Sequence, residues 1–353
     1  MVLVVLRVRR KALFLWYNEN MKLFHKKDDK KTELEKVEER REEVLATGRK
    51  FKYPLQWTKH RVVINTILIS LVTLAILVTT GWLALYRLQM TDELLYRLTQ
   101  IIPVPVAEVD GEKVRFSDYL MFYRSSLQSI SRQSTQTQTE EDLENMKEQF
   151  KAAALKTAEE YTYALKLAKE NEIEVSNDEV MAEFERHRQI GSVDRSEAGF
   201  LKIIKDNFGL SKDEYNRMLY LTLIKAKVDE KIDSHANEVA RRVESLLAEK
   251  DGIFKDVVAE MGDAVIYEET NGMVSNKNVD GGRADAAARL EIGQQSGRFV
   301  SMNGDGYYFV KLVDKNAAEV NFVSIKVEFT EFTKKFDEIR EAGKIKEFIE
   351  VQK

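Results

Sequence analysis

The chain of 353 residues has no cysteine, only three prolines and only four histidines. Without cysteine there are no disulfides, thiolate metal sites, thiol nucleophiles or thioether lipid anchors. Any part of the chain outside the cytoplasm must therefore be held together by packing. The prolines are Pro54, Pro103 and Pro105, so long helices can run without a proline break beyond position 105. His25, His60, His187 and His235 are too scattered for metal-ligand spacing. No Gly-rich loop joins a strand to a helix as phosphate binding requires. No metal or other cofactor is therefore expected. His187, in EFERHRQI, reads as a solvated helix residue, and His235, in DSHAN, as part of a helix cap. Carboxylate clusters such as Glu140-Glu141-Asp142 read as exposed helix starts favoured by the helix dipole. No catalytic residue stands out.

What the chain does have is one long uncharged run, Val62–Tyr86, VVINTILISLVTLAILVTTGWLALY. At about 1.5 Å of rise per residue, it can cross a hydrocarbon layer about 30 Å thick. The near-neutral total charge hides an asymmetry around this run. Residues 1–61 hold 17 Lys and Arg against 9 Asp and Glu, and the remainder carries a net charge of −12. Arg49, Lys50, Lys52, Lys59 and Arg61 precede the run, while Arg87, Asp92 and Glu93 follow it. The positive-inside rule then places the N-terminus in the cytoplasm and the acidic body outside. Trp57, Trp82 and Tyr86 are placed to form interfacial aromatic belts. The basic arm alternates Lys and Arg with Glu in KTELEKVEERREEVLA, as a solvated helix with i,i+4 pairs does. Its juxtamembrane charge suits anionic headgroups, and no nucleic-acid partner is expected. Met21 begins a more ordinary start, so residues 1–20 read as a start-site artefact.

The expected fold class is α+β, mostly α. The expected segments are a basic cytoplasmic arm (1–57), a transmembrane anchor (58–88) and a linker (89–105) holding a short helix from Thr91 to Thr99. A helical domain (106–232), a small α/β domain (233–329) and a C-terminal helix (330–353) docked on the helical domain follow. Alternating apolar residues around Asp110-Gly111 predict a β-hairpin from Val106 to Val114. Ser117 is expected to cap the next helix, and SRQSTQTQTEED reads as a loop. Met146, Phe150, Ala154, Tyr161, Leu165 and Ala168 fall on one face of a long helix. Ser176…Glu179 and Ser211…Glu214 are capping boxes. Val239, Val243, Leu246 and Leu247 mark one further helix face, and Phe254, Val257, Val258 and Met261 the next. Gly306–Val313 and Val320–Phe329 read as strands, joined by a turn at Asp314–Ala318. Phe332, Phe336 and Ile339 mark the face of the last helix.

Several of these segments resemble SurA/PrsA-type foldases, which pair a helical chaperone domain with a parvulin-like peptidyl-prolyl isomerase domain. Ala107-x-Val109-Asp110-Gly111-x-x-Val114 is similar to the hairpin opening the SurA N-terminal domain. So are Ala168…Ile173-x-Val175-Ser176-Asn177-x-Glu179-Val180 and Gly209-Leu210-Ser211-x-x-Glu214-Tyr215 to later motifs of that domain. The parvulin resemblance rests on Phe254-x-x-Val257-Val258, Asn271-Gly272-Met273-Val274, Ala287-x-x-Leu290-x-x-Gly293-x-x-Ser296 and Gly306-Tyr307-Tyr308-Phe309-Val310-Lys311. The family's two catalytic histidines and aromatic floor have no counterpart. Tyr308 stands at the last-strand histidine, Ala284 at the floor phenylalanine and Asp280 at the floor methionine. The missing first strand is expected to be replaced by Val320–Phe329 in a permuted sheet.

The resemblance implies a membrane-anchored, extracytoplasmic folding factor that binds unfolded exported chains, with an inactive parvulin-like domain. Phe299, Tyr307, Tyr308 and Phe309 are the residues expected to line a peptide-binding groove. The alternatives are a working peptidyl-prolyl isomerase, or a bitopic scaffold of the cell envelope.

Overall fold

The computed structural model describes residues 33–52, 54–133, 139–189, 195–278 and 280–351. The chain divides into two compact units, Met1–Thr79 and Thr80–Lys353. In the first unit, α1 (Glu33–Lys52) is exposed from residue 33 to residue 47. Helix α2 (Pro54–Trp82) opens on proline, whose fixed φ and missing N–H suit a first helical position. His60–Arg87 is apolar enough and long enough to cross a membrane, and its apolar stretch is unburied. This is compatible with a single-pass anchor.

The second unit begins at Thr80, within the last turn of α2. A π turn, Leu83–Arg87, tucks Ala84 and Leu85 away from solvent. The Tyr86 hydroxyl donates to the Pro105 carbonyl at 2.5 Å, and its ring meets Phe116 edge-on at 5.7 Å. Tyr86 is thus tied to the folded body. Residues 89–105, expected as a linker, are folded onto the same body. Helix α3 (Glu93–Ile101) sets Leu95, Tyr96 and Thr99 against it and stops before Pro103. Strand β1 (Pro105–Val109) then pairs antiparallel with β2 (Glu112–Arg115). Asp110 and Gly111 both have positive φ, 46° and 92°, as a tight Asp-Gly hairpin turn demands.

Five helices complete this helical body: α4 (Phe116–Gln133), α5 (Glu140–Glu170), α6 (Asn177–Arg188), α7 (Glu197–Phe208) and α8 (Lys212–Ile232). Helix α4 starts at Phe116, so Ser117 lies inside it. The Ser117 hydroxyl is buried without a hydrogen-bond partner and caps nothing. The polar run expected as a loop is shorter than its composition implies. Residues 131–133 finish α4, Thr139 caps α5 in a capping box with Asp142, and 134–138 lie outside the described residues. Both Ser176–Glu179 and Ser211–Glu214 form complete capping boxes. Helix α5 packs against both α4 and α8. Its buried set (Ala154, Leu155, Ala158, Ala164, Leu167, Ala168) is therefore wider than the single face read from the sequence, and Tyr161 and Leu165 are only half-buried. Phe184, Phe200 and Tyr215 meet edge-on at 5.3–6.1 Å and lock α6, α7 and α8 together.

The sheet body follows: α9 (Ser234–Glu249), α10 (Phe254–Met261), β3 (Ile266–Glu269), β4 (Val274–Ser275), α11 (Arg283–Ala288), β5 (Phe299–Val300), β6 (Gly306–Lys315) and β7 (Glu319–Glu328). The strand order is β3-β7-β6-β5, with β4 also pairing to β7, and all pairings are antiparallel. Strands β6 and β7 form its long central hairpin, Gly306 to Lys315 facing Glu328 to Val320.

The chain then returns to the helical body. Helix α12 (Glu331–Glu341) buries Phe332, Phe336 and Ile339, with both phenylalanine rings within 6 Å of Tyr163 on α5. Arg340 pairs with the fully buried Glu159 at 2.7 Å. The last segment is not helical throughout, as had been expected. After Gly343 it forms β8 (Ile345–Glu347), which pairs with β1 and completes a three-stranded sheet β2-β1-β8.

The chain passes between the two bodies twice, at Asp233 and at Phe329–Thr330, and one carboxylate holds both passages. Asp233, 1% exposed, accepts from Ala236 N at 2.8 Å and so caps α9. Its second oxygen accepts from Thr330 N at 2.7 Å and Glu331 N at 3.0 Å, capping α12, whose own cap residue supplies no side-chain bond. One turn earlier on α8, Asp229 is paired with Lys225 at 2.7 Å and has one oxygen without a hydrogen-bond partner. Burial pushes the Asp229 carboxyl up to about 6 against the opposing pull of Lys225, with Asp233 and Glu160 adding to the rise. The native state therefore holds this proton more tightly than the unfolded chain does. The associated stability is present below the ordinary carboxylate value and is lost as pH rises through about 6. Asp229→Asn is expected to raise stability at pH 7 by about 1–3 kcal/mol and to flatten the decline between pH 4 and 6. Denaturant midpoints across that range check it; a lower midpoint at pH 7 would refute it.

Candidate functional site

The four residues expected to line a groove do not share one face of the sheet. Side chains alternate along a strand, so Tyr307 and Phe309 point one way and Tyr308 the other. Tyr307 and Phe309 lie in the core under α9 and α10, with Val243, Leu246, Phe254, Val257, Ile325 and Val327. Tyr307 meets Phe329 edge-on at 4.9 Å and carries the Arg298 guanidinium 4.8 Å above its ring. Tyr308 and Phe299 come together on the opposite face, the one that α11 covers, stacked at 6.2 Å.

That face is polar around Tyr308. The Tyr308 hydroxyl donates to Asp305 Oδ2 at 3.1 Å, and Lys326, directly across the ladder, pairs with Asp305 at 2.8 Å and Glu328 at 2.9 Å. Arg283 lies 5.1 Å over the Tyr308 ring, donates to the Asp280 carbonyl at 2.8 Å and pairs with Glu268. Burial and the Asp305 charge push the Tyr308 hydroxyl above its ordinary range. Burial would raise Asp305 too, but Lys326 outweighs it and holds the carboxyl low; burial would lower Lys326, but Asp305 and Glu328 hold it high. Asp305 and Lys326 therefore keep their charges around neutrality. Asp280, at the floor-methionine position, has its carboxyl pushed up by burial, but it accepts the Ala284 amide at 3.1 Å and so opens α11. Ala284 is fully buried beside Ala287 and Leu290. Two positions where the resemblance expects an apolar proline grip are thus a helix cap and a close-packed alanine.

A larger opening lies between the bodies. A cleft of about 400 Å³ is lined by Ala182, Arg186 and Gln189 of the helical body and by Asn276, Asn278, Arg289 and Met302 of the sheet body, among others. It combines amide side chains, charges of both signs and one flexible thioether. Such a lining offers hydrogen bonds to any extended backbone and an adaptable apolar contact, with little to select a sequence. Sequence reasoning missed this cleft because its two walls are about one hundred residues apart in the chain and carry no motif.

The described histidines occupy no catalytic arrangement. His235 is exposed in the first turn of α9, where Asp233 does the capping. His187 is half-buried, not solvated. Its Nδ1 lies 2.6 Å from the Tyr215 hydroxyl and its Nε2 3.1 Å from Glu183, so it ties α6 to α8. Burial would raise Glu183, but His187 and Arg186 together draw its carboxyl down to about 2. Among the described residues, no group of three or more His, Asp or Glu is arranged to hold a metal ion.

No curated protein matches the chain. Residues 55–229 match the family model of the SurA-like N-terminal domain. The match begins about fifty residues before the hairpin that carried the resemblance and stops at Asp229, short of the sheet body. It supports a chaperone-like role outside the cytoplasm: over a little under half of its length, this chain is similar to SurA-type chaperones.

Proposed function

We propose that this protein is a membrane-anchored, extracytoplasmic folding factor. It holds unfolded, newly exported polypeptides in the cleft between its helical and sheet bodies. The observation that carries the reading is the SurA-like match across residues 55–229. Charge asymmetry across the span supports a cytoplasmic N-terminus. The sheet body, parvulin-like in its motifs and permuted in strand order, serves as one wall of the cleft. Prolyl isomerisation requires an apolar pocket that grips the twisted imide better than the planar one. A face filled by Lys326, Asp305, Arg283 and Glu268 supports binding without that catalysis. A tether raises the effective concentration of such a holdase at the membrane, so weak and unselective binding suffices.

The full chain in lipid nanodiscs is expected to suppress light scattering from several unrelated unfolded proteins. Ala182→Trp, an exposed position that projects bulk into the cleft, is expected to weaken that suppression several-fold without loss of stability. Unchanged suppression would remove the cleft from the proposal. Acceleration of prolyl-tetrapeptide isomerisation that disappears in Tyr308→Phe would replace it with the enzyme reading. Binding to one folded partner, with no suppression, would favour a scaffold.

A further inference from the structure

Helix α3 has three sectors where an ordinary surface helix has two. Leu95, Tyr96 and Thr99 face the body, and Glu93, Arg97 and Gln100 form a polar edge. The third sector, Leu94, Leu98 and Ile101, repeats at i, i+4 and i+7 and is apolar, yet it faces solvent with 69, 43 and 80% of its surface accessible. Ile102 continues it at 55%, and Leu88 at 61% and Met90 at 41% precede it on the connecting segment. Exposed apolar residues are normally scattered singly; six within fifteen positions make a patch that asks for a partner.

The chain itself indicates which partner. The stripe begins one residue after Arg87, the end of the apolar span. An extended residue covers at most about 3.6 Å, so α3 starts within roughly 20 Å of the point where the span leaves the hydrocarbon. That last turn is fixed to the body by Leu85 and by the Tyr86–Pro105 hydrogen bond, and Gln89 Nε2 donates to the Glu350 carbonyl at 2.7 Å. The connecting segment thus cannot pay out to carry α3 away. Trp82, in the last turn of α2, is 57% exposed, and an indole suits the headgroup boundary. Arg87, exposed at the start of the stripe, carries a charge suited to lipid phosphate, while Arg97 is paired with Glu93 at 2.8 Å.

We propose that α3 lies in the outer headgroup layer of the bilayer, inserting Leu94, Leu98, Ile101 and Ile102 among the glycerol-proximal carbons of the acyl chains. The helix then acts as an interfacial foot that fixes how the body stands on the membrane. This rests on the span being embedded, as in the proposed function, but not on client binding.

The cysteine-free chain lets the idea be tested on full-length protein in nanodiscs of mixed zwitterionic and anionic phospholipid. Single Leu94→Cys, Leu98→Cys and Ile101→Cys variants carry an environment-sensitive fluorophore, with Leu71→Cys as the mid-span control and Ser245→Cys as the aqueous one. All five positions are exposed, so folding is undisturbed. The expected result is a blue-shifted emission at 94, 98 and 101, quenched by lipids spin-labelled near the headgroup and not by aqueous iodide. Water-like emission at all three, with Leu71→Cys quenched by deep spin labels, would overturn the proposal and leave the anchor standing. A blue shift that requires added unfolded polypeptide would assign the stripe to clients. One that requires two copies per disc would assign it to a dimer. Either would overturn it. Failure of deep labels to quench Leu71→Cys would overturn the anchor and this proposal together.

Discussion

Asp233→Ala is expected to lower stability by about 3–5 kcal/mol, because three backbone N–H groups on two helices, one buried and two half-buried, lose their charged acceptor at once. The loss falls on both passages between the helical and sheet bodies. The two should therefore come apart before either unfolds, and limited proteolysis should cut around residues 232–234 and 328–331. The tryptophans are Trp16, Trp57 and Trp82, none in α9 or α12, so circular dichroism or hydrogen exchange is the right readout. Asp233→Asn tests the mechanism. Its single amide oxygen can cap one helix but not both, so it should fall between wild type and alanine. Equal stability of all three proteins would show that the shared carboxylate does not join the bodies.

Gly306→Ala is expected to be nearly as damaging, through a different cause. A Cβ at Gly306 would lie 2.3 Å from the Val327 carbonyl oxygen and 3.2 Å from Glu328 Cα. Both are backbone atoms of the paired strand, and they cannot retreat without opening the β6–β7 ladder at its Tyr307–Val327 end. Overpacking against backbone of this kind costs about 3 kcal/mol or somewhat more. Amide exchange should accelerate from Tyr307 to Val310 and from Ser324 to Glu328, while α4 and α5 stay protected. A change within about 0.5 kcal/mol, the range of ordinary surface substitutions, would refute the steric argument.

Local chemistry made much of the helical body legible in the sequence. The Asp-Gly turn, the Ser176 and Ser211 capping boxes, and the 3.6-residue spacing of Phe332, Phe336 and Ile339 act over a few residues, and each reappears in the structure. What was not legible depends on distant partners. The ties of Tyr86 to Pro105 and Phe116 cannot be read from its place at the end of the span. Ser117 reads as a cap until the helix is seen to start one residue earlier. The aromatic cluster Tyr307-Tyr308-Phe309 reads as one groove, although a strand sends neighbours to opposite faces. The double role of Asp233 is invisible in the chain, because its second helix starts almost one hundred residues later. The interbody cleft escaped for the same reason.

Strand β8 carries a consequence for the order in which the molecule is completed. Its residues, 345–347, bond to β1 at 107–109, so two segments more than two hundred positions apart in the chain are partners in one sheet. If the chain emerges from its N-terminal end, the hairpin β1–β2 waits with a bare edge while more than two hundred residues are made. The Tyr163 side of α5 waits for α12 over almost the same interval. Contacts of such long sequence separation form late and slowly. Throughout that time the incomplete chain exposes a β edge and an apolar helix face. On the proposed function, the protein passes during its own synthesis through the condition of the chains it would hold.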